Sequence, residues 1–547
     1  MPRAPGRRDF LGSASGLASA LLLPSLGCGD GPRSGSQAGA RQRPKARARP
    51  STGLRTAPSA SLAEQAAPGS EQLPDGLDPV NFTIYTRTPL TLETLRSRLP
   101  SAALTETGRL FVRNNLPMPH PQIVADADAW RIELAGVQGG RTFTLRELKE
   151  LGQASVVAVL QCSGNGRRFF PHRPSGSPWG VGAAGCVRWT GVPVSTVLDA
   201  VGGALPTARF LTATGGDPLP KLPPGITPEM LLVERSIPLE KGLADALLAW
   251  ELNDEPIPLS HGGPLRLIVP GYYGVNNVKY VKTLACTRDQ SGAKIQETSY
   301  RLRPLGEPGA TSQPSMWRMA VKSWIGEPGA DDAPVIAGPQ TIRGVAFSGE
   351  RGVKEVEVSI DGGRSWLSAR LDAEDLGVNA WRPFSLDVEL GVGAHELISR
   401  ATDTQGERQP EQRPENERGY GNNSWRDMAL RLEVFANSAE ALAARERRLA
   451  AQPPPERSVA AELSPQAARG REVFLSKADP TCGNCHTLAD AGAGMKIGPD
   501  LDHLGAPVAK VQNAVTNGVG VMQGYRDRLS PEQIEAVAHY VAEAARK

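Results

Sequence analysis

Two short strings in this chain could do chemistry. Near the C-terminus, residues 482–486 read CGNCH, the C-x-x-C-H spacing of covalent c-type haem attachment. The thiols of Cys482 and Cys485 would bond to the porphyrin vinyl groups, and His486 would give the iron one axial nitrogen. The competing reading is a zinc half-site or a dithiol redox pair, but a zinc site needs a second ligand pair, and none follows. The second string is SVVAVLQCSGNGRR at 155–168. An apolar β-branched run ends in Cys162, and a glycine-rich turn follows at once. A thiol at a strand end beside such a turn can approach a ligand closely. Soft thiolates suit metals, and Arg167 and Arg168 would favour a thiolate and attract an anion. From the residues alone, the plainer reading of Cys162 is a small buried hydrophobe.

A haem iron held by His486 needs a sixth ligand, and a thioether raises its reduction potential. Met495 and Met522 are the candidates. GVGVMQGYRDRLSPEQ at 518–533, with IGPDLDHLG at 497–505, resembles class I cytochromes c. In those a methionine at the place of Met522 binds the iron, which leaves Met495 as a loop residue. The flanking signals fit an all-α domain over 463–547. Ser464-Pro465 starts one helix, and Ser530, Pro531 and Gln533 form a capping box for the last. Ile534, Val537, Ala538 and Val541 keep helical spacing and give that helix one buried face.

At 547 residues the chain is too long for a single core. Its 61 basic and 58 acidic residues leave a net charge of +3, with no basic excess of the kind that binds nucleic acid. The other cysteines, Cys28, Cys162, Cys186 and Cys286, are scattered and form no disulfide framework; Cys186 and Cys286 read as core residues. Residues 1–28 read as a twin-arginine export signal, with Arg7-Arg8-Asp9-Phe10-Leu11-Gly12 ahead of a modestly apolar stretch. That predicts a periplasmic protein, with a membrane anchor as the alternative. SLGC at 25–28 is similar to a lipoprotein box, with Ser25 where leucine is usual, so a lipid on Cys28 stays open. Residues 29–75, rich in Gly, Pro, Ala, Ser and Arg, predict a disordered tether.

Segment 76–310 reads as mixed α and β, with many Gly and Pro turns. Residues 311–437 read as an all-β immunoglobulin-like sandwich: EVEVSI at 355–360 alternates with period two, Asp361-Gly362-Gly363 turns, and FSLDVEL and DMALRLEVF alternate likewise. Residues 438–462 predict a charged helix stopped by Pro453–Pro455, a spacer ahead of the haem domain.

Four ordered segments add a resemblance over about 78–437. LQCSGNGRR is similar to the molybdenum-ligating loop of the sulfite oxidase family of molybdopterin enzymes. FVRNNLPMPHP at 111–121, WGVGAAGCVRWTGVPV at 179–194 and PLSHGGPLRLIVPGYYGVNNVKYVKTL at 258–284 resemble three further segments of that family. The sandwich, ending in GYGNNSWRDMALRLEVF, resembles its dimerisation domain. The resemblance implies an α+β molybdopterin domain, a β dimerisation domain and hence a homodimer. It implies that Cys162 ligates molybdenum and that Arg113, Arg167, Tyr300 and Arg418 line the substrate pocket. His261, Lys279 and Asn115 fall at pterin contacts. The family usually has histidine where this chain has Asn115; asparagine still donates a hydrogen bond but cannot become cationic. The implied reaction is oxidation of sulfite, with electrons leaving through the haem to an external cytochrome c. A sulfur- or thiosulfate-pathway dehydrogenase with a partner-bound substrate is the alternative, as is an electron carrier with an inactive pterin fold.

Overall fold

The computed structural model describes residues 72–99, 102–174, 176–219, 227–451, 463–495, 498, 501–502, 506–518, 522 and 524–545. The expected export signal, Cys28, the tether up to residue 71 and linker residues 452–462 lie outside these. Among the described residues, no helix is long and apolar enough to cross a membrane.

The first catalytic-domain residues come earlier than composition suggested. Leu73 and Leu77 are buried together in a small apolar cluster, and the Asp75 carboxylate accepts a 2.7 Å hydrogen bond from the Ser260 amide. A glycine- and proline-rich context hid this anchor. Beyond it, a three-stranded sheet ends in Val112–Arg113. A sheet follows with the order Glu255–Pro256, Leu247–Leu252, Ala184–Pro193, Ala154–Gln161. A second five-stranded sheet is centred on Val281–Thr287, which pairs parallel to Arg131–Ala135 and antiparallel to Phe210–Gly215. Short helices cross between strands; the one at Leu145–Glu150 starts from Thr144, whose hydroxyl and amide exchange bonds with Glu147 in a capping box.

The sandwich forms as its alternation predicts. One sheet runs Lys322–Glu327, Gly338–Phe347, Arg382–Leu390, Arg370–Leu371; the other is built around Gly393–Asp403 and Val353–Ser359. Val356 and Val358 are fully buried, while Glu357 between them points out to a forked pair with Arg400 at 2.8 and 3.0 Å. That is the period-two pleat made visible. The sandwich and catalytic domain share a core in which Val159, Cys186 and Tyr273 pack with Trp324, Trp381 and Met428.

The expected spacer is partly ordered: Ser438–Ala451 is a helix that packs on the strands Val335–Ile336 and Leu430–Phe435. The haem-motif domain contains Pro465–Glu472, Val508–Asn517 and Pro531–Ala544. Both expected helix starts are present, with Ser464 Oγ capping Ala467 and a full capping box at Ser530 and Gln533. Ile534, Val537, Ala538 and Val541 face its core.

Candidate active site

The strand Ala154–Gln161 pairs along its whole length with Ala184–Pro193 and delivers Cys162 at its end. The Cys162 amide donates to Ala183 O at 2.9 Å, and the chain then turns back, Asn165 N donating to Cys162 O at 3.0 Å. Gly166 has φ +97°, and a Cβ there would lie 2.9 Å from Asn422, so the turn requires glycine. The sandwich grips this turn from the other side. Gly421 N donates to Ser163 O at 2.9 Å, Lys322 Nζ to Asn165 O at 3.2 Å and Asn422 Nδ2 to Gly166 O at 2.9 Å. Arg167 Nε returns the contact by donating to Arg418 O at 2.9 Å.

Cys162, Arg113, Arg167, Tyr300 and Arg418 line one cavity of about 240 Å³. Residues up to 305 positions apart in sequence (113 to 418) thus converge on one thiol. Arg167 is 6 % exposed, and two of its N–H groups are fixed by Arg418 O and by Ser177 O at 2.9 Å. Tyr300 stacks on Tyr420, ring centroids 5.1 Å apart and 10° from parallel, and Arg167 lies over the Tyr420 face at 5.3 Å. Burial pushes the Tyr300 hydroxyl up to about 12, so it remains a donor at neutral pH. Tyr420 and the adjoining phenolic ring raise the Arg418 value further above its ordinary one. Such an arrangement can receive a small oxyanion, beside a thiol of the kind that ligates a soft metal.

A second cavity shares Arg113, Asn115, Cys162 and Tyr300 with the first and runs back to His261 and Lys279. Lys279 Nζ donates to Asn114 Oδ1 at 2.6 Å and Ser260 O at 2.5 Å. Gly262, at φ +104°, lets that lysine pass; a Cβ there would meet its Cγ at 2.6 Å. Burial, then the charges of Lys279 and Arg266, hold His261 well below the ordinary imidazole value, so it is neutral. Burial likewise depresses Lys279, with Arg266 adding to it, and pushes Asp217 up to about 6. Among the described residues, Asn114 Nδ2, Ser163 Oγ, Asp217 Oδ2 and His261 Nε2 are buried without a hydrogen-bond partner, and all four residues line this cavity. Such groups are costly unless a ligand satisfies them. A heterocycle rich in donors and acceptors, as a pterin is, fits that demand.

The asparagine pair was only half legible in the sequence. Asn115 lines both cavities, but it is Asn114 that holds Lys279. Sequence reasoning also passed over Asp217, Lys322 and Tyr420. Tyr420 sits two residues from Arg418 within a quoted segment; Lys322 carried no local signal, because its partner lies across a domain boundary.

In the haem motif, Cys482–Asn484 is a single helical turn. Cys485 N and His486 N both donate to Cys482 O, at 3.1 and 3.0 Å, which gathers the two sulfurs and the imidazole on one short turn. A Cβ on Gly498 would strike the His486 ring. Met522 packs on the same domain's core. Met495 does not: it is 5 % exposed within the catalytic domain's apolar cluster and lines the anion cavity with Cys162. The loop residue of the sequence reading is an interdomain contact.

Comparison with known proteins follows the same division. Residues 117–295 match the oxidoreductase molybdopterin binding domain, 313–433 the Mo-co oxidoreductase dimerisation domain, and 465–541 the family described as cytochrome C oxidase, cbb3-type, subunit III. The chain is 31% identical to mitochondrial sulfite oxidase of Homo sapiens over 371 residues, which is 64% of this chain and 66% of that protein, just under two thirds of its length. It is 31% identical to sulfite oxidase of Gallus gallus over 366 residues, 62% of this chain and 76% of that one. Among solved structures, it is similar to the sulfane dehydrogenase SoxCD from Paracoccus pantotrophus, with TM-score 0.54 and 25% identity over 68% of this chain and 96% of that one.

Proposed function

The chain belongs to the sulfite oxidase family of molybdopterin enzymes, fused to a cytochrome c domain, and we propose that it oxidises sulfite to sulfate and passes the electrons out through its haem. The observation that carries this reading is the convergence of Arg113, Arg167, Arg418 and Tyr300 on the cavity that ends at Cys162. The balance is one sulfite and one water giving one sulfate, two protons and two electrons.

The molybdenum cofactor, when bound, supplies the oxygen-atom transfer and the two-electron capacity. Cys162 would be its thiolate ligand, and His261, Lys279, Asn114 and Asn115 would hold the pterin. The chain's own part is to bind and orient the anion. Arg113, Arg167 and Arg418 neutralise its charge and take its oxygens in a fork that a neutral sulfur compound would not satisfy. Tyr300, kept protonated by burial, adds one donor. Cys482 and Cys485 would hold the haem, with His486 and Met522 as its iron ligands; the haem would supply single-electron transfer toward an external cytochrome c. The twin-arginine pattern at 7–12 and the haem motif together support a periplasmic site, and the matched dimerisation domain supports a homodimer.

A sulfane-type substrate held by a partner protein is the second reading, favoured by the likeness to SoxCD. Purified protein given free sulfite and oxidised cytochrome c separates them. Two cytochromes reduced per sulfate formed supports sulfite oxidation. No sulfite turnover, together with turnover on a protein-bound persulfide, supports the second reading.

A further inference from the structure

The residues of the anion cavity come from three domains, not two. Arg113, Cys162, Arg167 and Tyr300 come from the catalytic domain and Arg418 and Tyr420 from the sandwich. Met495, nine residues beyond the haem histidine, is also in the wall. It is 5 % exposed, and it packs with the catalytic domain's apolar cluster, which contains Leu116, another wall residue. The seam beside it is backbone to backbone: Thr88 N donates to Gly492 O at 3.4 Å, and Thr88 pairs with Ala493 in a parallel bridge. The segment bearing Met495 is stapled to the haem anchor at both ends. Thr487 Oγ1 donates to Met495 O at 2.9 Å, and Gly498 N donates to Cys485 O at 2.7 Å. The haem anchor and one wall of the anion cavity are therefore one connected piece of chain.

From this we infer that the haem domain completes the substrate pocket, with Met495 as a specificity-determining wall residue that limits the size of the anion admitted. The inference rests on the reading of the cavity as an oxyanion site. It has two consequences. An unbranched thioether conforms to what it faces, so a small oxyanion is accommodated and a bulky one meets the wall. The same docking that brings the haem anchor to the cavity also finishes the cavity, so binding selectivity and electron exit depend on one interface. Met495 is then a pocket residue and not a haem ligand.

The test compares full-length wild type with Met495→Leu, Met495→Ala and Met495→Trp. Sulfate and benzenesulfonate binding are read by calorimetry, sulfite-driven haem reduction by stopped flow, and haem ligation by the absorbance band of methionine-bound ferric haem. Met495→Leu keeps the volume and is expected to match wild type. Met495→Trp should weaken sulfate binding by about tenfold or more. Met495→Ala should improve benzenesulfonate binding relative to sulfate by a similar factor. All three should keep the methionine-ligation band. Anion affinities within about twofold of wild type in both the Ala and Trp variants, or loss of that band in Met495→Ala, would overturn the inference. Wild-type protein that binds no sulfate overturns it as well. Wild-type protein that binds sulfate but is not reduced by sulfite overturns only the proposed reaction.

Discussion

At the scale of single residues, the cavity owes its character to charge that is fixed in place. Arg167 has little freedom: two N–H groups are tied to carbonyls and its plane lies over Tyr420. The part of the cavity wall that it forms is therefore set before any anion binds. Arg167→Met should raise the KM for sulfite roughly ten- to hundredfold, the loss of one charged hydrogen bond. Arg167→Lys should recover only part, because an ammonium cannot reproduce the fork. Haem absorbance in both should stay as in wild type, and an unchanged KM in Arg167→Met would remove Arg167 from the binding role. The sequence marked Cys162 as a thiol at a strand end, but its role and that of Arg167 came from the resemblance of LQCSGNGRR to the family's loop. It did not show which asparagine holds Lys279, since Asn114 and Asn115 are chemically identical and both line the cavity behind Cys162.

At the scale of elements, the strand ending at Cys162 is held by a neighbouring domain. Lys322, at the start of the strand Lys322–Glu327, is 2 % exposed and reaches the Cys162 turn at Asn165 O. Burial pushes it down to about 7, with Asp427 and then Cys162 acting the other way. A lysine depressed in the folded state binds fewer protons there than when unfolded, so stability rises with pH between the two values. Wild type should therefore gain on Lys322→Met as pH rises from about 7 toward the ordinary lysine value of 10.5, measured by denaturant titration across that range. A difference independent of pH would show that folding does not depress the Lys322 ammonium. The strands of the sandwich were readable from alternation because Val356 and Val358 face in and Glu357 faces out. The grip on the turn was not, because Gly421, Asn422 and Lys322 meet it through contacts that span more than 150 positions. The helix at Ser438–Ala451 reads as a spacer from its charged composition and the prolines that follow, yet Ala441 is 3 % exposed.

At the scale of the whole molecule, one seam joins the haem-motif domain to the cavity at Cys162, and the proposed chemistry is divided between the two. Protein produced with tungstate in place of molybdate should keep its haem spectrum and lose sulfite-driven haem reduction; retained reduction would place the reaction elsewhere. The domain order was legible because each part has its own signal, a thiol at a strand end, a period-two run, or a C-x-x-C-H turn. How the parts meet was not, since Thr88, Ala493 and Met495 carry no local pattern. In the proposed reaction, electrons enter at Cys162 and leave through His486. Anaerobic mixing of full-length protein with sulfite, followed by haem absorbance, tests it directly. Wild type should show its haem fully reduced, and Cys162→Ser should bind haem but leave it oxidised. A haem that stays oxidised in molybdenum-loaded wild type, or that is reduced equally in Cys162→Ser, would contradict the account.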